Sequence, residues 1–477
     1  MDEQFYDDQN SDHQQFSGMK TCGGKHYINS RFPCLNLYYQ LFKPIFQSFA
    51  MKNPAQQNIK GLLTGSTLVL IAILSLNIFS STAAFGQSDT SSFTQYKGII
   101  LDSKSKKELA FATLSVLGTN ISGVSNSEGE FSIKVPRQNS NADLMVSFLG
   151  YKNKVISLKE LKSENNQILL ESFNIALGEV VVSTNDAEKL FNQVISRIEQ
   201  NYSNDHNLMT GFYRETIRKR RNYLSLSESV VEIQKQPYMS NVDDFIELFK
   251  GRKNTDYTKL DTLTFKLQGG PYTTMFLDIM KYPGLIFTDD ALKIYNFSLE
   301  NNTQIDDRKV YVLAFKQKPE VIAPMYYGKL FIDTESMAII SATFNLNVED
   351  KKAAGLMFTQ KKPAGAEVYP LEASYQINYR EQNGKWIFAY SRGDITFLVD
   401  WDKKLFNTTY ETSVEMAVTD WKKKTNEPQK LTQKLRQNVI MMDKVSNFAD
   451  PEFWGEYNII EPEKSIETAI KKIQRKM

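Results

Sequence analysis

The hydrophobic pattern of the chain begins with one uncharged apolar run, Leu62 to Phe79. Lys52 and Lys60 precede it, and the small residues Ala83, Ala84 and Gly86 close it. A basic start, apolar middle and small-residue exit are the layout of a secretory signal, so residues 51–86 are expected to direct export and be removed. About 18 apolar residues also just span a bilayer, which makes an uncleaved N-terminal transmembrane anchor the alternative. The polar Thr64, Ser66, Ser75 and Asn77 inside the run favour cleavage. Met51-Lys52 is a better start for such a signal than Met1, so residues 1–50 are expected to be a non-functional or mis-assigned extension.

Beyond the signal the rhythm shortens. Between residues 95 and 172, apolar stretches of a few residues alternate with turn chemistry: Ser103 to Lys107, Gly118-Thr119-Asn120 and Asn126-Ser127-Glu128-Gly129. Phe131, Ile133 and Val135 recur at period two, which puts them on one buried face of a strand. Many short strands at regular spacing predict a small antiparallel β-sandwich. A linker over 173–186 follows, and then a larger mixed β domain over 187–477.

That second region opens on a helix. Asn185 and Glu188 form a capping pair, and Ala187, Leu190, Phe191, Val194, Ile195 and Ile198 make one apolar stripe. Strands then dominate: Gly211 to Glu215 and Tyr223 to Glu232 read as a pair, and Pro271 to Tyr282 reads as a helix stopped by Pro283-Gly284. From Lys309 a long meander is expected, with its clearest hairpin at Gln382-Asn383-Gly384. Ala373, Tyr375, Ile377 and Tyr379 share a face before that turn; Trp386, Phe388 and Tyr390 continue the alternation after it. Ile466, Ala469, Ile470 and Ile473 mark an apolar helix stripe at the end.

Composition narrows the function. Of the two cysteines and three histidines, Cys22, Cys34, His13 and His26 precede the signal, which leaves only His206 behind it. Disulfides are then impossible, and stability must come from burial. A net charge of +2 argues against a nucleic-acid partner, which calls for a concentrated basic excess. With no cysteine near the cleavage point, lipid attachment there is not expected.

The segment also resembles a known family. Gly98, Asp102, Ala110 to Val116, Gly118-Thr119, Gly123, Gly129-Glu130-Phe131 and Phe148-Leu149-Gly150-Tyr151 are similar to the carboxypeptidase-regulatory-like domain. The resemblance implies a transthyretin-like sandwich of the kind common in exported Bacteroidetes envelope proteins. Ser125-Asn126 stands where that family usually has Thr-Asp, which weakens any ion-binding role for the turn. Leu177 to Val182 looks like the segment that follows this sandwich in TonB-dependent receptors, with a simple pairing strand as the bland reading. The chain beyond Val182 is too short for a receptor barrel of about 22 strands. Gly328 to Asp333, its turn and the return strand look like the repeating unit of lipoprotein-carrier-type folds, which implies a curved sheet around a helix. The aromatic side of such a sheet would be either plain core or a groove for a lipid or apolar peptide. Gly211 to Glu215 and Phe453-Trp454 are similar to the region that accompanies the sandwich in uncharacterised envelope proteins.

Catalytic chemistry finds little to stand on. A zinc peptidase needs several converging ligands, and Met209 stands where a glutamate would follow His206. His206 lies in the polar loop Asn201 to Asn207, without the placed third group that serine–histidine chemistry requires. Glu228 and Glu232 do not make a carboxylate dyad, and Asp400 and Asp402 around Trp401 are the nearest approach to a carboxylate pair. The expected fold class is mainly β: the sandwich, then a larger α+β domain on a curved antiparallel sheet. The expected function is a non-catalytic, periplasmic or outer-membrane-associated protein, with no catalytic, cofactor or metal site. Its partners would be an apolar ligand or an envelope protein, as an assembly or transport accessory. The alternative is a glycan binder or carboxylate-dependent glycan hydrolase.

Overall fold

The computed structural model describes residues 49–52, 92–173, 184–220, 222–255, 264–288, 290–358, 365–402, 406–423, 434–447 and 453–468. The signal-like run, Leu177 to Val182 and the end of the C-terminal stripe (Ala469, Ile470, Ile473) lie outside the described residues. So do Cys22, Cys34, His13 and His26. Strand β1 (Phe49–Lys52) pairs antiparallel with a short strand over Thr264–Leu267. Among the described residues no helix is long and apolar enough to cross a membrane.

The sandwich forms where the short period-two runs place it. Its strands are β2 (Phe93–Asp102), β3 (Thr113–Val116), β4 (Ser122–Val124), β5 (Glu130–Pro136), β6 (Asp143–Ser147), β7 (Lys154–Ser157) and β8 (Asn166–Leu170). One layer has the order β5-β2-β8, the other β4-β3-β6-β7. Ile100, Leu114, Phe131, Ile133, Val146 and Ile168 fill the space between them. Pairing is antiparallel except that β8 returns parallel to β2, which brings Asn166 against Gly98. A Cβ at Gly98 would lie 2.3 Å from the Asn166 carbonyl oxygen, so only glycine fits.

The second region is built on one curved sheet. After β9 (Asn207–Lys219), β10 (Asn222–Lys235), β11 (Phe245–Thr255) and β12 (Thr264–Leu267) come β13 (Tyr295–Ile305), β14 (Arg308–Gln317) and β15 (Tyr326–Asp333). Then follow β16 (Ile339–Leu346), β17 (Ala366–Gln382), β18 (Lys385–Trp401), β19 (Thr408–Lys423) and β20 (Ser446–Asn447). The order in this 11-stranded sheet is β13 through β19 in sequence, then β9, β10, β11 and β20. The meander thus closes on the first hairpin, β19 against β9. The β17–β18 hairpin turns through Asn383 and Gly384, both at positive φ (52° and 74°), as a two-residue turn of matching twist requires.

Helices cover one face. They are α1 (Thr184–Ser196), α2 (Ile198–Asn201), α3 (Pro271–Met275), α4 (Ala291–Ile294) and α5 (Lys351–Phe358). In α1, Ala187, Leu190, Phe191 and Val194 are buried, and Phe191 stacks on Phe287 at 5.2 Å. Ile195 was expected in that stripe but is exposed, and the helix breaks at Arg197, so Ile198 starts a new turn. The Asn185 side chain lies outside the described residues. The helix expected over Pro271 to Tyr282 stops at Met275, because Asp278 is drawn to a buried lysine and the chain passes it in turns.

A bulge corrects a second expectation. Asn378 pairs with Tyr390 but Tyr379 pairs with Phe388, so Ala389 is an extra residue in β18. Phe388 therefore stays on the helix-covered face, while Tyr390 turns to the opposite face and packs with Phe212, Ala417 and Val124 of the sandwich. The residues 453–468 run between sandwich and sheet. Trp454 and Ile460 enter that same cluster, and the Asn458 side chain pairs with both backbone groups of Lys134 in β5 (2.6 and 3.0 Å).

Candidate functional site

The helix-covered face of the sheet is filled by the protein itself. Tyr375 stacks with Phe344 at 5.3 Å, and Tyr202 lies 5.5 Å from Tyr379 and 5.1 Å from Tyr238. At its centre Lys235, fully buried, sits 2.7 Å from both Asp244 and Asp278. Tyr379 donates to Asp278 at 2.9 Å and Tyr282 to Asp244 at 3.2 Å. Burial alone would lower the Lys235 pKa, but the two carboxylates outweigh it and raise it. The ammonium is thus held charged in the core. Among the described residues, the aromatic side chains on this side pack as core.

The opposite face carries a row of alternating charges. Arg252, Glu228, Arg214, Glu415 and Arg392 stand directly opposite one another on β11, β10, β9, β19 and β18. Their contacts run Arg252–Glu228 (2.9 Å), Glu228–Arg214 (2.8 Å), Arg214–Glu415 (3.2 Å) and Glu415–Arg392 (3.0 Å). Arg214 also donates to the Ile460 carbonyl at 2.7 Å, and Tyr390 donates to Glu415 at 3.2 Å. Every charge is matched by a neighbour of opposite sign, which is what buried ions require. The row anchors the C-terminal segment, and a cavity of about 140 Å³ remains beside Arg214, Arg392 and Glu463.

A larger cavity, about 590 Å³, opens between the sandwich and this same face of the sheet. Phe111, Met145, Phe148 and Leu149 line it from the sandwich, Ile305, Ile340 and Trp386 from the sheet. Hydrogen bonds between the two parts hold them apart at a fixed distance: Ser122 to the Val418 carbonyl (2.8 Å), Gln382 to Asn120 (3.0 Å) and Gly150 N–H to the Gln304 carbonyl (2.8 Å). Arg380 lines this cavity with its guanidinium 3.5 Å from the Trp421 ring centroid. It makes no ion pair among the described residues, and its buried Nη1 has no hydrogen-bond partner. Burial lowers its pKa to about 9, only partly offset by the charges of Asp306 and Asp420. Asp306, on the same wall, has its pKa raised by burial against the pull of Ser147 and Arg308, and its Oδ1 lacks a hydrogen bond.

The residues weighed for catalysis do not meet. His206 lies in the bend before β9, partly exposed. Asp400 is exposed near the end of β18, paired opposite Glu367, and Asp402 is exposed in the turn after it. Glu228 is locked between Arg214 and Arg252, while Glu232 faces Glu247 on β11. Asn126 accepts the backbone N–H groups of Glu128 and Glu130 at 2.9 Å each, so it caps its own turn. Among the described residues, no group of three or more His, Cys, Asp or Glu could hold a metal ion. Sequence reasoning missed Lys235, Arg214, Glu415 and Arg380, because their partners lie on strands far away in the chain. The one signal available was a charged residue at an alternation position inside an otherwise apolar strand.

Residues 96–182 match the CarboxypepD_reg-like domain family. No curated protein matches the chain. Among solved structures it is similar to an outer membrane lipoprotein-sorting protein domain from Vibrio parahaemolyticus, with a TM-score of 0.26 and 9% identity over 52% of this chain and 96% of that one. It is also similar to a LolA superfamily protein from Nitrosomonas europaea (TM-score 0.21, 13% identity, 51% of this chain and 94% of that one). A membrane-associated protein of unknown function from Bacteroides fragilis is a third likeness (TM-score 0.14, 13% identity, 69% of this chain and 98% of that one).

Proposed function

We propose that this chain is an exported, non-catalytic binding protein of the cell envelope that holds a small apolar ligand between its sandwich and its sheet. The observation that carries the reading is the 590 Å³ cavity walled by Phe111, Phe148, Leu149, Ile305, Ile340 and Trp386. Its apolar walls are interleaved with polar side chains, among them Thr113, Ser115, Asn153, Thr343, Gln376 and Asn378, so it offers both apolar surface and hydrogen-bonding groups. The signal-like segment 51–86 and the CarboxypepD_reg-like match support the envelope address. Asp400 and Asp402 are exposed, and neither lines this cavity.

Mass spectrometry of solvent extracts from the purified mature protein tests the reading. A retained apolar molecule is expected, and Thr343→Trp, which fills the cavity from β16, is expected to abolish its retention with the fold intact. An extract without such a molecule, together with no saturable binding of dodecanol, would overturn it.

A further inference from the structure

Most buried or half-buried arginines on the sandwich-facing side of the sheet have their charge answered. Arg214, Arg252 and Arg392 each touch a carboxylate at 3.2 Å or less. Arg380 does not. Its register partner on β18 is Ile387, and the carboxylates of Asp306 and Asp420 act on it without forming an ion pair. Its flat face rests on Trp421, its Nη1 is sealed without an acceptor, and it forms part of the wall of the cavity just described. A guanidinium desolvated in this way costs free energy unless an anion answers it. Guanidinium is also the side chain best shaped to take an oxyanion on two parallel N–H donors.

The rest of the wall says what else such an anion would carry. Phe111, Phe148, Leu149, Ile305 and Ile340 offer an apolar bed continuous with the arginine. Asp306 lies close enough to act on Arg380 electrostatically yet forms no ion pair with it, so it limits the positive charge available. A cation without a direct ion pair, but with two carboxylates near it, suits a head with a single negative charge better than one with two.

We infer that the cavity takes an amphiphile, an apolar tail ending in an acidic oxyanion, and that Arg380 binds the head while the sandwich–sheet walls bind the tail. This rests on the binding reading given above and adds the ligand's head group to it. A charge-assisted hydrogen bond of this kind is expected to favour the acid over its neutral analogue about tenfold or more.

The test uses the mature full-length chain, with calorimetric titration of dodecanol, dodecanoate and dodecyl phosphate at neutral pH. Dodecanol reports on the cavity alone, and the two acids separate a carboxylate head from a phosphate one. Expected is dodecanoate binding at least about tenfold tighter than dodecanol. The ratio of dodecanoate to dodecanol affinity should fall to about one in Arg380→Met and stay high in Arg380→Lys. Equal binding of acid and alcohol would keep the cavity reading and overturn the head-group assignment. A preference that survives Arg380→Met would overturn it too. Binding of none of the three would overturn both. Should Arg380→Met fail to fold, Asp306→Asn carries the test: it is expected to raise the dodecanoate-to-dodecanol affinity ratio about threefold, and an unchanged ratio overturns the inference.

Discussion

Arg214 and Glu415 stand opposite each other on β9 and β19, 3.2 Å apart and both buried, although 201 positions separate them in sequence. With Glu228 on the other side of Arg214, they tie the last strand of the meander to the first hairpin of the sheet. Removing one member of such a row strands its neighbours as uncompensated ions, and the cost is about 3–5 kcal/mol. Glu228→Ala, which removes the carboxylate shared by Arg214 and Arg252, is therefore expected to lose that much stability in a denaturant titration. Lys97→Ala breaks the partly exposed Lys97–Glu461 pair and should cost under about 1 kcal/mol. Similar losses from both would show that the buried row is no keystone.

The same row sets an acid limit. Burial pushes Glu228 up, but Arg214 and Arg252 outweigh it and hold its carboxyl below the ordinary glutamate value of 4.5. A depressed carboxyl binds its proton less readily when folded, so its contribution is present above pH 4.5 and lost as pH falls through the folded pKa. Unfolding followed from pH 6 down to pH 2 should show this loss, and Glu228→Gln should blunt it.

Glu215 behaves in the opposite sense. It faces the helix-covered side, where Tyr213 donates to its Oε2 at 2.8 Å and Oε1 lacks a hydrogen bond. Burial pushes its pKa up to about 7, against the Tyr213 and Ser227 hydroxyls. The folded state then holds a proton that the unfolded state releases, so stability falls as pH rises from 4.5 to about 7. Glu215→Gln should flatten that slope and stabilise the protein at pH 8 by on the order of 3 kcal/mol. A variant with the parent's pH profile would show that Glu215 does not cause it.

These three side chains show where sequence reading stops. Phe131, Ile133 and Val135 alternate over a single strand, so their burial was legible, and Asn383-Gly384 encodes its own turn. The paired strands of the meander followed from the same local logic. The bulge at Ala389 was not legible, because nothing in Trp386 to Tyr390 interrupts the alternation; contact of Tyr390 with Phe111 and Glu415 stabilises the extra residue. The burial of Arg214, Glu415 and Arg380 was not legible, since it depends on strands brought together only in the fold. The cavity has walls from Phe111 to Ala389 and belongs to no single segment.

Phe111 sets two effects against each other. Its φ of 63° is strained for a bulky side chain, and its ring stacks on Tyr390 at 6.0 Å with Arg392 4.8 Å above it. Phe111→Gly relieves strain of about 1–2 kcal/mol but removes an aromatic contact whose loss costs about 3–5 kcal/mol in a packed site. A net destabilisation is expected by thermal unfolding, together with weaker ligand retention, since Phe111 also lines the cavity. A stabilised Phe111→Gly variant would mean the ring contributes little there.

Trp454 holds the two parts of the molecule together. Its ring meets Phe212 edge-on at 5.4 Å, Arg252 lies 4.7 Å above it, and the segment it anchors goes on to bind Lys134 through Asn458 and Lys97 through Glu461. Sheet and sandwich are therefore joined through a segment that follows β20 of the sheet and lies far from the sandwich in sequence. Trp454→Ala should cost about 3–5 kcal/mol. Its effect should also be spatially specific: hydrogen exchange is expected to quicken in β4 and β5, which the segment touches, and to stay slow in β14 to β16, which it does not. Loosening of the sandwich against the sheet would open the cavity walls, so the variant should lose bound dodecanol faster than the parent. Uniform exchange changes across the sheet would mean that Trp454 is ordinary core and the segment no clasp.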